Sequence, residues 1–355
     1  MIPELGVIEG YFGRAWSWQE RTIVIERLAP AGYRFFHYAP KIDEKLRRAW
    51  QILHDDDEAA AIADFARHCR VLGVRFGIGI NPFGAHLSFD AVARERMKAK
   101  LAQFDSWGVD DLAILFDDMR GDLNDLAKRQ TEIASFIFDN SKAERFFFCP
   151  SYYSLDPKLD AVFGQRPVRY LEELGQKLDP AVAIYWTGEE VCSPEIGAAH
   201  LRDMSNILGR KVALWDNYPV NDGPRMSQNL HLRSFTGRSA NIAEHISHHA
   251  INPASQPILG CIPALTLPML YKQGSDYRYG SAFKEAATAV CGETLGLMLH
   301  ADLSTLQQLG LDRMSAATKR DLRTRYAQLE NDAAKEVVDW LDGAYAITGE
   351  MLQTQ

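Results

Sequence analysis

The chain has 355 residues, a net charge of −8 at pH 7 and a sequence pI near 5.7. This acidic balance argues against a nucleic acid or an anionic membrane as a partner, because both bind to a basic protein face. The sequence contains no run of 18 apolar residues, so no transmembrane helix is predicted. Its length suits one large α/β domain with a smaller appendage.

The cysteine content predicts a reducing environment. The five cysteines are scattered along the chain, odd in number and without a CxxC pair. They are expected to be free thiols, as in a cytoplasmic protein. The first five residues carry no basic and apolar leader, so no signal peptide is expected. We therefore expect a cytoplasmic location.

Apolar runs alternate with helical patterns over roughly the first 270 residues. Helices are predicted between the strands, at 18–29, 57–72, 89–107, 122–139, 168–177, 193–208 and 240–249. Eight such units predict a (β/α)8 TIM barrel of the α/β class. The eight predicted strands are, in order, 5–9, 33–38, 74–80, 111–115, 145–149, 181–186, 211–215 and 257–261.

The character of the chain changes beyond about Ser281. From there on, helix formers with apolar spacing of three and four residues predominate, and no strand is predicted. One long amphipathic helix is expected over 316–341, continued past Gly343 by another. We therefore predict two domains, a catalytic (β/α)8 barrel over residues 1–280 and an α-helical C-terminal domain over residues 281–355.

Two adjacent carboxylates, Asp117 and Asp118, follow the fourth predicted strand. Neighbouring residues of an extended chain point to opposite faces, and like charges this close push one pKa up. Two carboxyl groups with separated pKa values are what acid–base chemistry at neutral pH requires. The alternative is that Asp118 or Asp122 only caps the helix that follows.

The other strand ends add carboxamides, carboxylates, a lysine and aromatic rings. A barrel gathers the C-terminal ends of its strands at one face, so these side chains are expected to meet there. Aromatic planes suit the apolar faces of a sugar ring, and Asp, Asn and Lys suit its hydroxyl groups. The segments concerned are 9–13, Lys41, 150–153, 186–188 and 215–222, with Asn252-Pro253 expected just before the eighth strand.

These segments resemble family 84 glycoside hydrolases, the group of O-GlcNAcases and bacterial β-N-acetylglucosaminidases. They occur in the order and at about the spacing of that family, over residues 6–255. The segments that carry the resemblance are Gly6-Val7-Ile8-Glu9-Gly10-Tyr11-Phe12-Gly13, Tyr38-Ala39-Pro40-Lys41, Phe116-Asp117-Asp118, Trp186-Thr187-Gly188, Trp215-Asp216-Asn217-Tyr218 and Asn221-Asp222.

The resemblance implies a retaining, substrate-assisted β-N-acetylglucosaminidase that removes terminal β-linked GlcNAc through an oxazoline intermediate. It implies that Asp117 orients the 2-acetamido group, that Asp118 is the general acid and base, and that Tyr153 binds the acetamido oxygen. No metal and no organic cofactor are expected. The resemblance implies further substrate contacts at Gly10, Lys41, Cys149, Trp215, Asn217, Asp222 and Asn252.

One position departs from the family. The family usually has Gly-Phe-Tyr-Gly where this chain has Gly10-Tyr11-Phe12-Gly13. The phenol expected at Phe12 is missing, and Tyr11 is expected to point to the opposite face. The departure concerns the aglycone side of the site, not the catalytic pair.

Two other functions compete with this interpretation. A metal-dependent barrel hydrolase would use Asp117 with histidines, yet the chain lacks a His-x-His at its first strand end. The cluster of His245, His248 and His249 lacks the His-Glu-x-x-His pattern and is expected to lie on a helix as solvated or terminal residues. A silent sugar-binding barrel would be expected to lose one residue of the carboxylate pair, and both are present.

Cys149 is interpreted as a small residue at the floor of the pocket, in preference to a nucleophile. The expected partner is a GlcNAc-bearing glycoprotein or other glycoconjugate, hyaluronan fragments included. The resemblance also implies a homodimer formed through the C-terminal helices. The aglycone is left open by the sequence, because the loops that contact it lie outside the matched segments.

Overall fold

The computed structural model describes residues 2–348. Eight parallel strands form a closed barrel in the order β1 to β8, with β1 paired to β8. The predicted (β/α)8 barrel is thus confirmed. The strands are β1 (Glu4–Glu9), β2 (Tyr33–Tyr38), β3 (Arg75–Ile80), β4 (Asp111–Leu115), β5 (Arg145–Cys149), β6 (Ala183–Trp186), β7 (Val212–Asp216) and β8 (Ile246–Ile251).

Helices surround the barrel and follow it toward the C-terminus. Most predicted helices of the barrel are present with shifted ends, and the sequence analysis missed the short helix α5. The helices are α1 (Trp18–Leu28), α2 (Asp56–Val71), α3 (Ala91–Trp107), α4 (Leu126–Asp139), α5 (Pro157–Phe163), α6 (Tyr170–Lys177), α7 (Ala198–Leu208), α8 (Pro257–Gln273), α9 (Tyr279–Cys291), α10 (Glu293–Leu303), α11 (Ala316–Ala327) and α12 (Asp332–Leu341).

The eighth unit differs from the prediction. The segment predicted as a helix over 240–249 ends in strand β8, and the predicted strand 257–261 is the start of helix α8. Pro257 stands at the first position of α8, where its missing N–H costs nothing. A helix that is apolar all round and buried has no amphipathic period, so a short window of it reads like a buried strand.

This correction moves the histidines and Asn252. His248 and His249 lie on strand β8, not on a helix, and Asn252 follows the strand instead of preceding it. His249 is fully buried, with Nε2 3.0 Å from Oδ2 of Asp216 and Nδ1 2.7 Å from the Tyr271 hydroxyl. Asn252 therefore still lies at the C-terminal end of the strands.

The C-terminal region is helical, but its predicted long helix is divided. α11 ends at Ala327 and α12 begins at Asp332, where the Asn331 side chain accepts the N–H of Ala333. Residues 344–348 are not helical, and the rest of the predicted continuation, 349–355, lies outside the described residues. α12 packs against the barrel helix α8.

Two contacts tie α12 to the barrel. The Glu336 carboxylate accepts the backbone N–H groups of Ile258 (2.9 Å) and Leu259 (2.8 Å) in the first turn of α8. The Trp340 indole donates to the Ser227 carbonyl at 3.0 Å. These contacts connect α12 to the start of helix α8 and to the segment that follows β7. Within the described part of the chain, no helix has the length and apolar character needed to span a bilayer.

Candidate active site

A cavity of about 260 Å³ opens at the C-terminal ends of the barrel strands. It also contacts residues that the sequence analysis did not single out, among them Val191, Cys192 and Met226. The sequence predicted ten site residues, and all of them line this cavity: Gly10, Lys41, Asp117, Asp118, Cys149, Tyr153, Trp215, Asn217, Asp222 and Asn252.

The carboxylate pair lies just beyond β4, and both residues are buried. Lys41 Nζ contacts Oδ2 of Asp117 directly and lies 3.9 Å from Oδ2 of Asp118. Asp118 has φ of +58°, a left-handed backbone that side chains other than glycine seldom adopt. Such strained conformations persist only where the surrounding fold compensates for them, and they cluster at functional sites.

The two carboxyl groups have different surroundings. Both oxygens of Asp117 face donors, Lys41 on one side and the Asn81 amide on the other. Burial raises the pKa of Asp118, and the nearby Asp117 adds to that effect, although Lys41 and Arg47 oppose it. The surroundings of Asp118 therefore favour its protonated form.

Neither Asp118 nor Asp122 caps the next helix, which was the structural alternative. Helix α4 begins at Leu126, and Asp125 stands at its N-cap position without a side-chain bond to the backbone. The Asp118 carboxylate instead accepts the Tyr153 hydroxyl at 3.3 Å. Its orientation is thus set by the cavity and not by a helix end.

Amide side chains from the ends of β7 and β8 form a connected wall. Asn217 Oδ1 accepts from Trp215 Nε1 at 3.1 Å and from Asn252 Nδ2 at 2.9 Å, while Asn217 Nδ2 donates to the Val191 carbonyl at 2.7 Å. Asn252 Oδ1 accepts the backbone N–H of Gly10 at 3.3 Å. The wall is therefore held in one arrangement before any ligand binds.

Asp222 closes the cavity next to the β1 loop. Its Oδ2 accepts the backbone N–H of Phe12 at 2.9 Å. Burial raises the pKa of Asp222 to about 6, although that hydrogen bond opposes the shift. Asp222 is thus a third carboxyl group in the cavity, close to its titration point near neutral pH.

The β1 loop follows the predicted alternation. The Tyr11 ring is buried, and its hydroxyl accepts the backbone N–H of Trp16 at 3.2 Å, away from the cavity. Phe12 lines the cavity and presents no hydroxyl there. The substitution noted in the sequence therefore makes this edge of the site apolar.

Cys149 lies at the base of the cavity and is buried. Burial raises the pKa of its thiol well above the usual range, and the charges of Asp117 and Asp118 reinforce that effect. A nucleophilic cysteine needs the opposite shift, because the thiolate is the reactive form. These surroundings favour a pocket wall over a nucleophile.

Asn81 is the main contact of the site that the sequence analysis missed. It directly follows β3, and its Nδ2 donates to Oδ1 (3.1 Å) and to the backbone oxygen (3.0 Å) of Asp117. A polar residue between a buried strand and Pro82 was the signal in the sequence. Within residues 2–348, no group of three or more His, Cys, Asp or Glu side chains is placed to hold a metal ion.

A sequence model described as β-N-acetylglucosaminidase matches residues 5–304 of the chain. The chain belongs to this β-N-acetylglucosaminidase family. The family comprises glycoside hydrolases, and its match covers the barrel and every residue that lines the cavity. The resemblance inferred from the strand-end motifs is therefore confirmed.

Two named proteins and one solved structure are also similar to this chain. The chain is 29% identical over 277 residues to the Protein O-GlcNAcase of Rattus norvegicus and to that of Mus musculus. Each match covers 75% of this chain but 30% of the relative, so the chain spans under a third of their length. A mutant of Thermobaculum terrenum O-GlcNAc hydrolase superposes with a TM-score of 0.77 at 25% identity, over 95% of this chain and 73% of that one.

Proposed function

We propose that this protein is a retaining, O-GlcNAcase-like β-N-acetylglucosaminidase whose nucleophile is the acetamido oxygen of its substrate. The observation that carries the proposal is the unequal pair at the end of β4. Asp117 faces a cation and an amide donor, whereas burial raises the pKa of Asp118. This is the division expected when one carboxylate must stay charged and its neighbour must give a proton.

In the first step, the acetamido oxygen bonds to the anomeric carbon while the bond to the aglycone oxygen breaks. Asp118 gives its proton to that leaving oxygen. Asp117 accepts the acetamido N–H, which orients the group and stabilises the positive charge that develops on it. The product is an oxazoline fused to the sugar ring, and its nitrogen keeps the proton and the positive charge that Asp117 stabilises.

In the second step, the ionised Asp118 takes a proton from water, and the water oxygen bonds to the anomeric carbon. The carbon–oxygen bond of the oxazoline breaks, which restores the acetamido group. Each step inverts the anomeric carbon, so the product keeps the β configuration. Asp118 ends the cycle protonated, as it began.

The remaining cavity residues are proposed to bind the sugar. Tyr153 would donate to the acetamido oxygen, and Cys149 with Trp215 would enclose the acetamido methyl group. A small thiol and an indole face suit an apolar methyl. Residues proposed to hold the sugar hydroxyls are Lys41, Asn217, Asp222, Asn252 and the backbone of Gly10. No cofactor takes part in these steps.

The proposed substrates are GlcNAc-bearing glycoproteins or other glycoconjugates. The relatives named Protein O-GlcNAcase favour a protein aglycone. The five cysteines are free, which suits the proposed cytoplasmic location. A homodimer formed through the C-terminal helices is proposed as well. The molecular mass in solution, measured by light scattering, tests it.

Hydrolysis of aryl glycosides tests the proposal. The enzyme should release the aryl group from β-GlcNAc and fail on the matching β-glucoside, which lacks the nucleophile. The anomer released first, observed by NMR, should be β. Comparable turnover of the glucoside would rule out the substrate-assisted mechanism, and binding of GlcNAc without any turnover would favour a silent sugar-binding barrel.

A further inference from the structure

Asn81 is buried behind the carboxylate pair and does not line the cavity. Its backbone is fixed on both sides, because its N–H donates to the Leu46 carbonyl at 2.8 Å and its carbonyl accepts the Phe83 N–H at 2.8 Å. β3 and β4 are neighbours in the barrel, with Ile80 paired to Ile114. The amide of Asn81 therefore reaches Asp117 from a rigid position on the adjacent strand end.

The chemistry of its contacts settles which way the Asn81 amide points. Both atoms that it contacts are oxygens of Asp117, the backbone oxygen and Oδ1, so the amide nitrogen must face them. Among the described residues, no donor faces the other end of the amide, Oδ1 of Asn81. A buried acceptor without a partner is costly, so the fold retains this amide for its two N–H bonds.

We propose that Asn81 is a positioning residue for the reaction, acting through Asp117. The two bonds join the side chain and the backbone of Asp117 into one rigid unit, which sets the plane of the carboxylate. With Lys41 at Oδ2, the Asn81 amide at Oδ1 completes a set of donors that favours the charged form. A neutral donor achieves this without adding a further cation to Lys41 and Arg47, which already act on Asp118.

The inference deepens the proposed function and rests on it. In that mechanism, Asp117 must meet a developing positive charge at a defined angle. A carboxylate that could rotate or take up a proton would stabilise the oxazoline-like transition state less. Its effect on binding of the ground state would be smaller. Loss of Asn81 should therefore resemble partial loss of Asp117.

The test compares Asn81→Leu, which keeps the approximate shape and removes the donor, with wild type. One hydrogen bond to a charged group corresponds to a loss of about ten- to hundredfold in kcat/KM for aryl β-GlcNAc. The loss should be the same for good and poor leaving groups. The inhibition constant of a thiazoline mimic of the oxazoline should rise by a similar factor, and that of GlcNAc by less than about threefold.

Two further measurements separate positioning from mere structural support. The acid limb of the kcat/KM profile should move to higher pH in Asn81→Leu, because a carboxylate that loses a donor takes up a proton more readily. In an Asp117→Asn background, adding Asn81→Leu should change kcat/KM by less than about threefold, since two residues that act as one unit are not additive. Asn81→Asp, which is nearly isosteric, is measured in parallel in case leucine disturbs folding.

Gln103→Leu is the matched control. Its amide also makes two hydrogen bonds to one residue, accepting the His54 N–H at 3.0 Å and donating to the His54 carbonyl at 2.8 Å, outside the cavity. Its kinetic constants and pH profile should stay within about twofold of wild type. Additive losses in the double variant, or an unchanged ratio of thiazoline to GlcNAc inhibition, would overturn the inference alone. A wild type that does not hydrolyse aryl β-GlcNAc would overturn the proposed function and this inference together.

Discussion

Gly10 and Trp215 are packed so closely that a Cβ atom at position 10 would lie 2.3 Å from Cζ2 of the indole. The indole also donates to Asn217, which connects to Asn252 and through it back to the Gly10 N–H. The absence of a side chain at Gly10 thus determines where the ring stands and where the amide wall begins.

Gly10→Ala should displace the Trp215 ring and disturb the wall of the cavity. A shift of this kind next to the reacting atoms can cost about a hundredfold in kcat/KM. The melting temperature should change little while kcat/KM falls, because the change lies at the cavity and not in the barrel core. Steady-state kinetics and a melting curve on the same preparation measure both. Full activity in Gly10→Ala would show that the ring position is not critical.

Asp118→Asn should lower turnover by about 10²–10⁴-fold for an aryl β-GlcNAc with a poor leaving group. With a leaving group that needs no proton, the first step should be much less affected. The basic limb of the wild-type kcat/KM profile should also disappear, since burial keeps the pKa of Asp118 raised and its proton is the one required. Equal losses for both kinds of leaving group would contradict the acid role.

Asp117→Asn should lower turnover by about 10²–10³-fold for good and poor leaving groups alike. The variant keeps the size of the side chain and removes the charge that faces the acetamido group. A thiazoline mimic should lose far more affinity than GlcNAc, because it resembles the charged intermediate. Inhibition constants for the two ligands on both proteins provide the measurement. If both ligands lose the same affinity, the roles within the pair are assigned wrongly.

Glu336→Gln should alter the pH dependence of stability. Burial raises the pKa of Glu336 to about 8, so the folded state binds more protons than the unfolded state from about pH 4.5 to pH 8. Stability contributed by this group is present below that window and is lost as pH rises through it. As pH rises from 5 to 8, the unfolding free energy of wild type should therefore fall by about 3 kcal/mol relative to that of the variant.

Urea unfolding at several pH values measures this gain. Glu330→Gln is the control, because Glu330 is exposed in the turn before α12 and should leave the pH dependence of wild type unchanged. A constant difference between Glu336→Gln and wild type across the range would contradict the raised pKa.

Removal of the residues after Ser281 should give an aggregating or unstable protein, which is the test of the proposed C-terminal domain. The cut deletes most of α9 and all of α12, both of which pack on α8. α8 is buried and apolar on nearly every side, so the truncation exposes a large apolar surface. A soluble, active fragment in size-exclusion chromatography and an aryl β-GlcNAc assay would show that the barrel does not need these helices.

The residues of the cavity could be predicted because a parallel barrel places every strand end at one rim. Asp117 and Lys41 follow β4 and β2, and Trp215 lies near the end of β7, so all three reach the rim at which the strands end. The eighth unit was predicted wrongly, because α8 is buried all round and carries no period that separates it from a strand. His248 and His249 were misplaced with it.

The barrel, its rim and the members of the carboxylate pair could be predicted from the chain alone, since each depends on local period and on order along the chain. The partners of each carboxylate, in contrast, depend on how the strands meet in the closed barrel. Lys41 and Asn81 reach Asp117 from β2 and β3, and Tyr153 reaches Asp118 from β5. These contacts join residues 35 to 76 positions apart, and the burial that raises the pKa of Asp118 exists only after the barrel has closed.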